Sequence, residues 1–85
     1  MRLDKYLKVS RLIKRRTVAK EMVGAGRVKV NGKIAKPGNE ISIGDELEIG
    51  FGQRLVRAKI TEIKESVRAD EASALYQILE GAPID

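Results

Sequence analysis

The sequence has 85 residues, no cysteine and no histidine, and 17 Lys+Arg against 12 Asp+Glu give it a net charge of +5. This length corresponds to one small domain, and the missing residue types exclude disulfides, thiol nucleophiles, histidine general bases and the common zinc sites. A charged N-terminus and the lack of a long apolar run argue against a signal peptide and a membrane span, so we expect a soluble cytoplasmic protein.

The charge is divided unevenly along the chain. Residues 1–36 contain 12 basic and two acidic side chains, a net charge of +10. Residues 37–85 contain five basic and ten acidic side chains, a net charge of −5. Positive charge at this density repels itself unless an anionic partner neutralises it. The distribution therefore predicts that the N-terminal part binds a polyanion.

Two short helices are predicted near the N-terminus. Apolar side chains at i, i+3 and i+4 within residues 3–7 predict a helix that ends near Ser10. Residues 11–16 are expected to form a connector. Thr17 is a favourable N-cap residue, so the second helix is predicted from there to about Gly24. The two helices are expected to pack on each other with their basic side chains outside.

A β-hairpin is the clearest local prediction. Residues 27–30 and 33–36 alternate polar and apolar side chains on either side of Asn31-Gly32. Asn-Gly is the preferred pair in a type I′ turn, because both positions need positive φ. Three further extended segments are predicted, over 41–43, 46–49 and 54–64.

A C-terminal helix is predicted over residues 70–79, where Ala72, Leu75 and Leu79 have helical spacing. Gly81-Ala82-Pro83 is expected to end it.

The predicted fold class is α+β: a basic two-helix element packed on a small antiparallel β-sheet with an Asn-Gly hairpin, plus a short C-terminal helix. We expect a single domain over residues 1–85. Its core motif is assigned to residues 1–50, and its last strand and C-terminal helix to residues 51–85.

Catalysis is disfavoured. The serine and threonine hydroxyls have no histidine to activate them. The neighbouring acids Asp45/Glu46 and Asp70/Glu71 are typical of solvated turns and helix N-termini. Gly24-Ala25-Gly26 precedes a strand, whereas a phosphate-binding loop follows one. The sequence therefore predicts no enzyme, no metal site and no cofactor.

Nucleic acid is the polyanion that the residue types favour. Arginine and lysine neutralise phosphates and release counterions. A membrane-bound helix would carry more aromatic residues than Tyr6, the only one in the first 50 residues. The three aromatic residues are not clustered as base stacking on a sheet requires, so recognition of backbone and shape is expected. The basic cluster consists of Arg2, Lys5, Lys8, Arg11, Lys14, Arg15, Arg16, Lys20 and Arg27.

Five sequence blocks resemble the S4 RNA-binding domain, which is named after a small-subunit ribosomal protein. They occur in that family's order and spacing over about residues 1–50. The blocks are Arg2-Leu3-Asp4-Lys5-Tyr6-Leu7, Ser10-Arg11, Arg15-Arg16-Thr17-Val18-Ala19, Gly26-Arg27-Val28-Lys29-Val30-Asn31-Gly32 and Gly44-Asp45-Glu46-Leu47.

The remainder is similar to the short stand-alone members of that family. One branch, heat-shock protein fifteen, has a long basic C-terminal extension. This chain ends at Asp85 without one, which favours the branch that acts in ribosome-associated quality control.

The resemblance implies binding to large-subunit rRNA and to the peptidyl-tRNA on a large ribosomal subunit with an obstructed nascent chain. It also implies support for the factor that adds alanine tails to stalled chains. No membrane or small-molecule substrate is expected, and a monomer is expected.

The resemblance also assigns the site. The residues that match the RNA-facing motif are Arg2, Lys5, Lys8, Arg11, Arg15, Arg16 and Thr17. The flanking candidates are Lys14, Lys20, Arg27 and Lys29. Asp4 lies inside the motif, either as an acid at a helix N-terminus or as an RNA contact.

Two alternatives stay open. Related domains are fused to pseudouridine synthases, so the protein could be an RNA-binding accessory subunit for ribosome assembly or for an RNA-modifying enzyme. A DNA-binding two-helix module with a hairpin wing is the other alternative. The second helix lacks the Asn or Gln that reads base edges, which argues against it.

Overall fold

Residues 1–82 are described by the structure, a computed structural model, and they form an α+β domain as expected. Pro83, which was expected to help end a helix, lies outside the described residues. The sheet is antiparallel with strand order β2-β1-β3-β4-β5. The elements in chain order are α1 (Leu3–Val9), α2 (Arg16–Gly24), β1 (Val28–Val30), β2 (Lys33–Ile34), β3 (Glu46–Phe51), β4 (Arg54–Ile60), a 3₁₀-helix (Ala69–Leu75) and β5 (Tyr76–Glu80).

Helix α1 confirms the predicted first helix. Leu3, Tyr6 and Leu7 are fully buried, because their spacing places them on one face. The helix ends at Ser10, whose hydroxyl donates to the Leu7 carbonyl oxygen at 3.2 Å. The Tyr6 hydroxyl donates to the Leu75 carbonyl oxygen at 2.8 Å and so ties α1 to the 3₁₀-helix. Burial raises the pKa of this phenol.

Helix α2 begins earlier than predicted. Arg15 occupies the N-cap position without a side-chain cap hydrogen bond, and Arg16 is the first helical residue. The prediction that Thr17 caps this helix is therefore wrong. Arg15, Arg16 and Thr17 are all exposed, so water can satisfy the first N–H groups of the helix and no side-chain cap is required.

The Asn31-Gly32 turn confirms the predicted hairpin, with φ of 52° and 83° at its two residues and strands β1 and β2 on either side. The Asn31 side chain also joins this turn to the start of β3. Its Oδ1 accepts from the Glu46 N–H at 2.9 Å, and its Nδ2 donates to Asp45 Oδ1 at 3.0 Å.

One face of the sheet carries the core. Val56, Ala58 and Ile60 on β4 are buried together, as their alternation predicted, and they pack with Leu47 and Ile49 of β3. Strand β3 continues through Gly50 to Phe51, two residues beyond the predicted extended segment 46–49. Residues 41–43 join no strand, although Ile41 is buried. No helix among residues 1–82 is long and apolar enough to cross a membrane.

The C-terminal segment differs most from expectation. Residues 69–75 form a 3₁₀-helix that buries Ala72 and Leu75, and Tyr76–Glu80 then forms β5 beside β4. The predicted helix over 70–79 is therefore wrong in its second half, where Leu79 is 41% exposed. The three-residue separation of Ala72 and Leu75 fits a 3₁₀-helix as well as an α-helix, because a 3₁₀-helix has three residues per turn. Residues 76–80 instead form antiparallel backbone hydrogen bonds with β4, whose N–H and C=O groups would otherwise be unpaired at that edge of the sheet.

Candidate nucleic-acid interface

The basic residues of the N-terminal part surround the two-helix element. Lys8, Lys14, Arg15, Arg16 and Lys20 are exposed, whereas Lys5 and Arg11 are half-buried. The helices can carry this charge because their apolar stripes face the core and leave the cations on the outer side. Within residues 1–82, the cations of this element that form no ion pair are Lys8, Arg11, Lys14, Arg15 and Lys20.

Asp4 is the centre of this surface although its side chain is only 2% exposed. Its Oδ1 accepts from Arg2 Nε at 3.1 Å and its Oδ2 from Arg2 Nη2 at 3.2 Å. Oδ1 also accepts from the Lys5 backbone N–H at 2.8 Å, and Arg16 Nη2 lies 3.6 Å from it. Thus one buried carboxylate holds a bidentate arginine from the start of α1 and a second arginine from α2.

The charge state of Asp4 follows from these contacts. Burial raises the pKa of this carboxyl, but the Arg2 hydrogen bond, the Lys5 N–H and the charges of Arg16 and Arg2 lower it more. The net result is a pKa below the usual range of an aspartate, so the carboxylate is ionised at neutral pH. The Asp4 carboxylate accepts the Lys5 N–H at the N-terminus of α1, which agrees with the interpretation of Asp4 as an acid at a helix N-terminus. Its side chain is almost fully buried, so it has little surface with which to contact RNA.

A shallow pocket of about 330 Å³ lies over this centre. Arg2, Arg16, Thr17 and Lys20 line it together with Asp4. Three cations face one carboxylate, which leaves a local charge of +2. Each guanidinium group has five N–H donors, and Arg2 uses only two of its donors on Asp4. The pocket can therefore accept a phosphate through charge-assisted hydrogen bonds.

Other candidate residues lie outside this pocket. The Lys5 ammonium group donates to Glu65, and this hydrogen bond lowers the pKa of the glutamate. Arg11 has a positive φ of 60° and donates from Nη1 to the Val9 carbonyl oxygen at 3.1 Å. Lys8 is exposed on α1. These contacts assign Lys5 and Arg11 to internal interactions as well as to the basic surface.

The side chains of the consecutive cations Lys14, Arg15 and Arg16 do not all line the same pocket. Arg16 lines the pocket over Asp4, whereas Arg15 and Lys14 border a second, apolar pocket. Lys14 also borders a third one, together with Arg11 and residues of the 3₁₀-helix. The sequence indicated one cluster here, but adjacent side chains at a helix start point in different directions.

Arg27 and Lys29 occupy another part of the molecule. They line a groove of about 340 Å³ on the sheet together with Glu48 and Leu55. No pocket-lining residue is shared between this groove and the pocket over Asp4. The structure therefore does not bring these two candidates to the centre at Asp4.

The acidic part of the chain includes a cluster around one arginine on the sheet. Arg57 lies 3.1 Å from Glu46, 3.6 Å from Glu48 and 3.7 Å from Glu80. The negative charge of residues 37–85 is thus partly neutralised away from the basic helices. Within residues 1–82 no group of acidic side chains has the arrangement of a metal site.

Fold and surface together define a small α+β module with a basic two-helix element in front of an antiparallel sheet. A family model described as "S4 domain" matches residues 1–47. The chain belongs to the S4 domain family, which confirms the resemblance seen in its sequence blocks.

Two groups of relatives are similar over most of the chain. An "RQC P-site tRNA stabilizing factor" of Halalkalibacterium halodurans is 60% identical over 84 residues, covering 99% of this chain and 96% of the relative. One of the same description from Bacillus subtilis is 52% identical and covers 93% and 92%. A "Heat shock protein 15 homolog" of Haemophilus influenzae is 35% identical, and the match covers 96% of this chain but 63% of that longer relative.

A solved structure has the same fold. Heat shock protein 15 of Vibrio cholerae superposes with a TM-score of 0.85 at 37% identity, over 92% of this chain and 80% of that one. Its description states a trimeric structure.

Proposed function

We propose that this protein binds the large ribosomal subunit together with its peptidyl-tRNA during ribosome-associated quality control, and that it stabilises the tRNA in the P site. The observation that carries the proposal is the pocket in which Arg2, Arg16, Thr17 and Lys20 surround Asp4. The relatives described as RQC P-site tRNA stabilizing factors support it, because their similarity covers nearly the whole chain.

Binding would depend on phosphates and shape. Arginine forks recognise phosphate oxygens in fixed geometry, whereas lysines add less directional charge. The separate directions of Lys14, Arg15 and Arg16 allow contacts with more than one backbone segment. A protein placed between rRNA and tRNA needs such a divided surface. No chemical step is part of this function, and the missing histidine and cysteine agree with a binding role.

Two finer points belong to the same proposal. The bound protein supports the factor that adds alanine tails by holding the tRNA in place. The protein acts as a monomer, because residues of a single chain line the pocket over Asp4. The Vibrio cholerae relative is described as trimeric. Sedimentation equilibrium therefore measures whether this protein is a monomer or a trimer in solution.

The test is a pull-down of the tagged protein from cells. The proposal predicts separated large subunits that carry peptidyl-tRNA, and little of the small subunit. Recovery of assembly precursors or of an RNA-modifying enzyme without tRNA would instead support the accessory-subunit alternative. Arg16→Ala serves as the matched variant, because it changes the pocket while Asp4 keeps its bidentate partner Arg2.

A further inference from the structure

An apolar pocket of about 380 Å³ opens between the connector, α2 and the end of β3. Val18, Met22 and Phe51 line it, and Leu12 and Ile13 contribute their buried side chains from the connector. Val18 is 38% exposed, whereas the residues next to it on the outer surface of α2 are polar or charged. The exposed apolar area thus lies on a polar helix face that carries Lys20 and the acidic Glu21, next to the cations of the connector.

Two cations border the same pocket. Lys14 and Arg15 line it, and neither forms an ion pair with another residue in the part of the chain that the structure describes. An apolar cavity bordered by unpaired positive charge is complementary to a ligand with a flat apolar face and an adjacent anionic group. A nucleotide combines these properties, because its base has an apolar face and its phosphate is charged.

The volume of the apolar pocket also fits one nucleotide. About 380 Å³ lies near the lower end of the roughly 300–1,000 Å³ usual for small-ligand pockets. An amphipathic peptide helix would need a groove with several anchor sites along it. Here Lys14 and Arg15 border a single pocket, and Arg15 precedes Arg16 of the Asp4 centre in the chain, so the occupant that the charges favour is part of a bound RNA.

We propose that this pocket binds the base of one unpaired nucleotide of the RNA, with Phe51 as stacking surface and Lys14 and Arg15 on the flanking phosphates. The inference rests on the proposed function and extends it from backbone contacts to a bulged or looped-out base. Unpaired bases that leave the stack are the usual targets of aromatic side chains in RNA recognition. Phe51 is the single phenylalanine of the chain.

The test compares two probes: a short RNA stem with one unpaired nucleotide, and the same stem fully paired. Wild-type protein is expected to bind the stem with the unpaired nucleotide about fivefold more tightly or better, the low end of base–aromatic stacking. Phe51→Leu keeps the pocket apolar but removes the aromatic ring. It should bring the two affinities to within about twofold of each other and leave the affinity for the paired stem unchanged. Leu79→Ala, an exposed apolar residue on β5, is the matched control and should retain the preference.

A second readout does not depend on affinity. The chain contains no tryptophan, so Phe51→Trp places a single emission probe in the pocket. Stacking predicts that the stem with the unpaired nucleotide changes this emission and that the paired stem does not. Equal wild-type affinities for the two stems, or a preference that Phe51→Leu retains, would overturn the inference and favour a protein partner for the pocket. Binding to neither stem at low salt would instead overturn the proposed function.

Discussion

Oδ1 of Asp4 on α1 lies 3.6 Å from Nη2 of Arg16 on α2, while the same carboxylate holds Arg2 in a bidentate pair. One buried group therefore connects two arginines from different parts of the two-helix element. Both guanidinium side chains are about half exposed, so they contact solvent while the carboxylate does not. The contact keeps two like charges together at the place proposed to bind phosphate.

The role of Asp4 can be separated from the effect of charge. Asp4→Asn removes one negative charge at nearly constant size, so charge alone predicts tighter RNA binding. We expect weaker binding to large subunits, by about tenfold, because losing the carboxylate leaves Arg2 and Arg16 without the charge-assisted contact that orients them. A titration at fixed salt measures this, and tighter binding by the variant would contradict the positioning role.

The lowered pKa of Asp4 adds a pH dependence to stability. The unfolded chain binds the proton at higher pH than the folded protein does, since folding lowers the pKa. The stabilisation from the ionised carboxylate is therefore complete above about pH 4 and is lost as the pH falls through the folded pKa. Denaturant unfolding between about pH 6 and pH 2 should show a larger loss of unfolding free energy in the wild type than in Asp4→Asn. Equal losses would show that the carboxylate gains nothing from its partners.

Arg16 should contribute to RNA affinity without contributing much to folding, because its side chain is about half exposed. Arg16→Ala is expected to weaken binding to tRNA-bearing large subunits by at least about tenfold. It should also reduce the slope of log affinity against log salt concentration by about one in magnitude. The control Arg68→Ala removes the same charge from an exposed position before the 3₁₀-helix. It should leave both quantities nearly unchanged. Similar effects of the two substitutions would mean that net charge, not this site, determines binding.

The hairpin turn depends on Gly32, which has a φ of 83°. A side chain at this position would meet no atom within 4 Å of its Cβ, so crowding is not the obstacle to substitution. Gly32→Val should therefore cost stability through backbone strain, about 1–2 kcal/mol or somewhat more for a β-branched residue. RNA binding should fall only as far as the fold is lost. Thermal unfolding measures the change, with Gly24→Ala at the end of α2 as the unstrained control. A normal Tm for Gly32→Val would contradict the type I′ turn.

Strand β5 depends on a close approach at Gly81. A Cβ there would lie 2.3 Å from the Leu55 carbonyl oxygen, and φ is 76°. Gly81→Ala should destabilise the protein more than Gly52→Ala, which has positive φ but open space around it. Hydrogen exchange should show reduced protection in residues 76–80 of the Gly81 variant. If the two alanine variants behave alike, the strand does not pass Leu55 as described.

Local sequence patterns predicted the secondary structure correctly where only one kind of secondary structure fits the pattern. Asn31-Gly32 with alternating neighbours permits only a tight hairpin, and the strand at Val56 shows the same alternation over a longer stretch. Ala72 and Leu75 fit an α-helix and a 3₁₀-helix equally well, so the pattern could not decide between them. The pairing of residues 76–80 with β4 is a long-range contact that no local spacing reveals.

Composition predicts which basic residues are candidates for the site, but it does not predict the directions in which their side chains point. The charge of residues 1–36 located the basic surface, whereas the different orientations of Lys14, Arg15 and Arg16 depend on where α2 begins. The burial of Asp4 does have a signal in the sequence, because Asp4 and Leu7 have the i, i+3 spacing of the apolar stripe. Its contact with α2 requires the packing of both helices.

The most direct test of the central claim is the affinity of labelled protein for purified large subunits with and without a P-site tRNA, measured at one salt concentration. A protein that stabilises the tRNA must, by thermodynamic linkage, bind the tRNA-bearing subunits more tightly. We predict this difference for the wild type and its loss in Arg16→Ala. Equal affinities of the wild type for both kinds of subunit would contradict the proposed function.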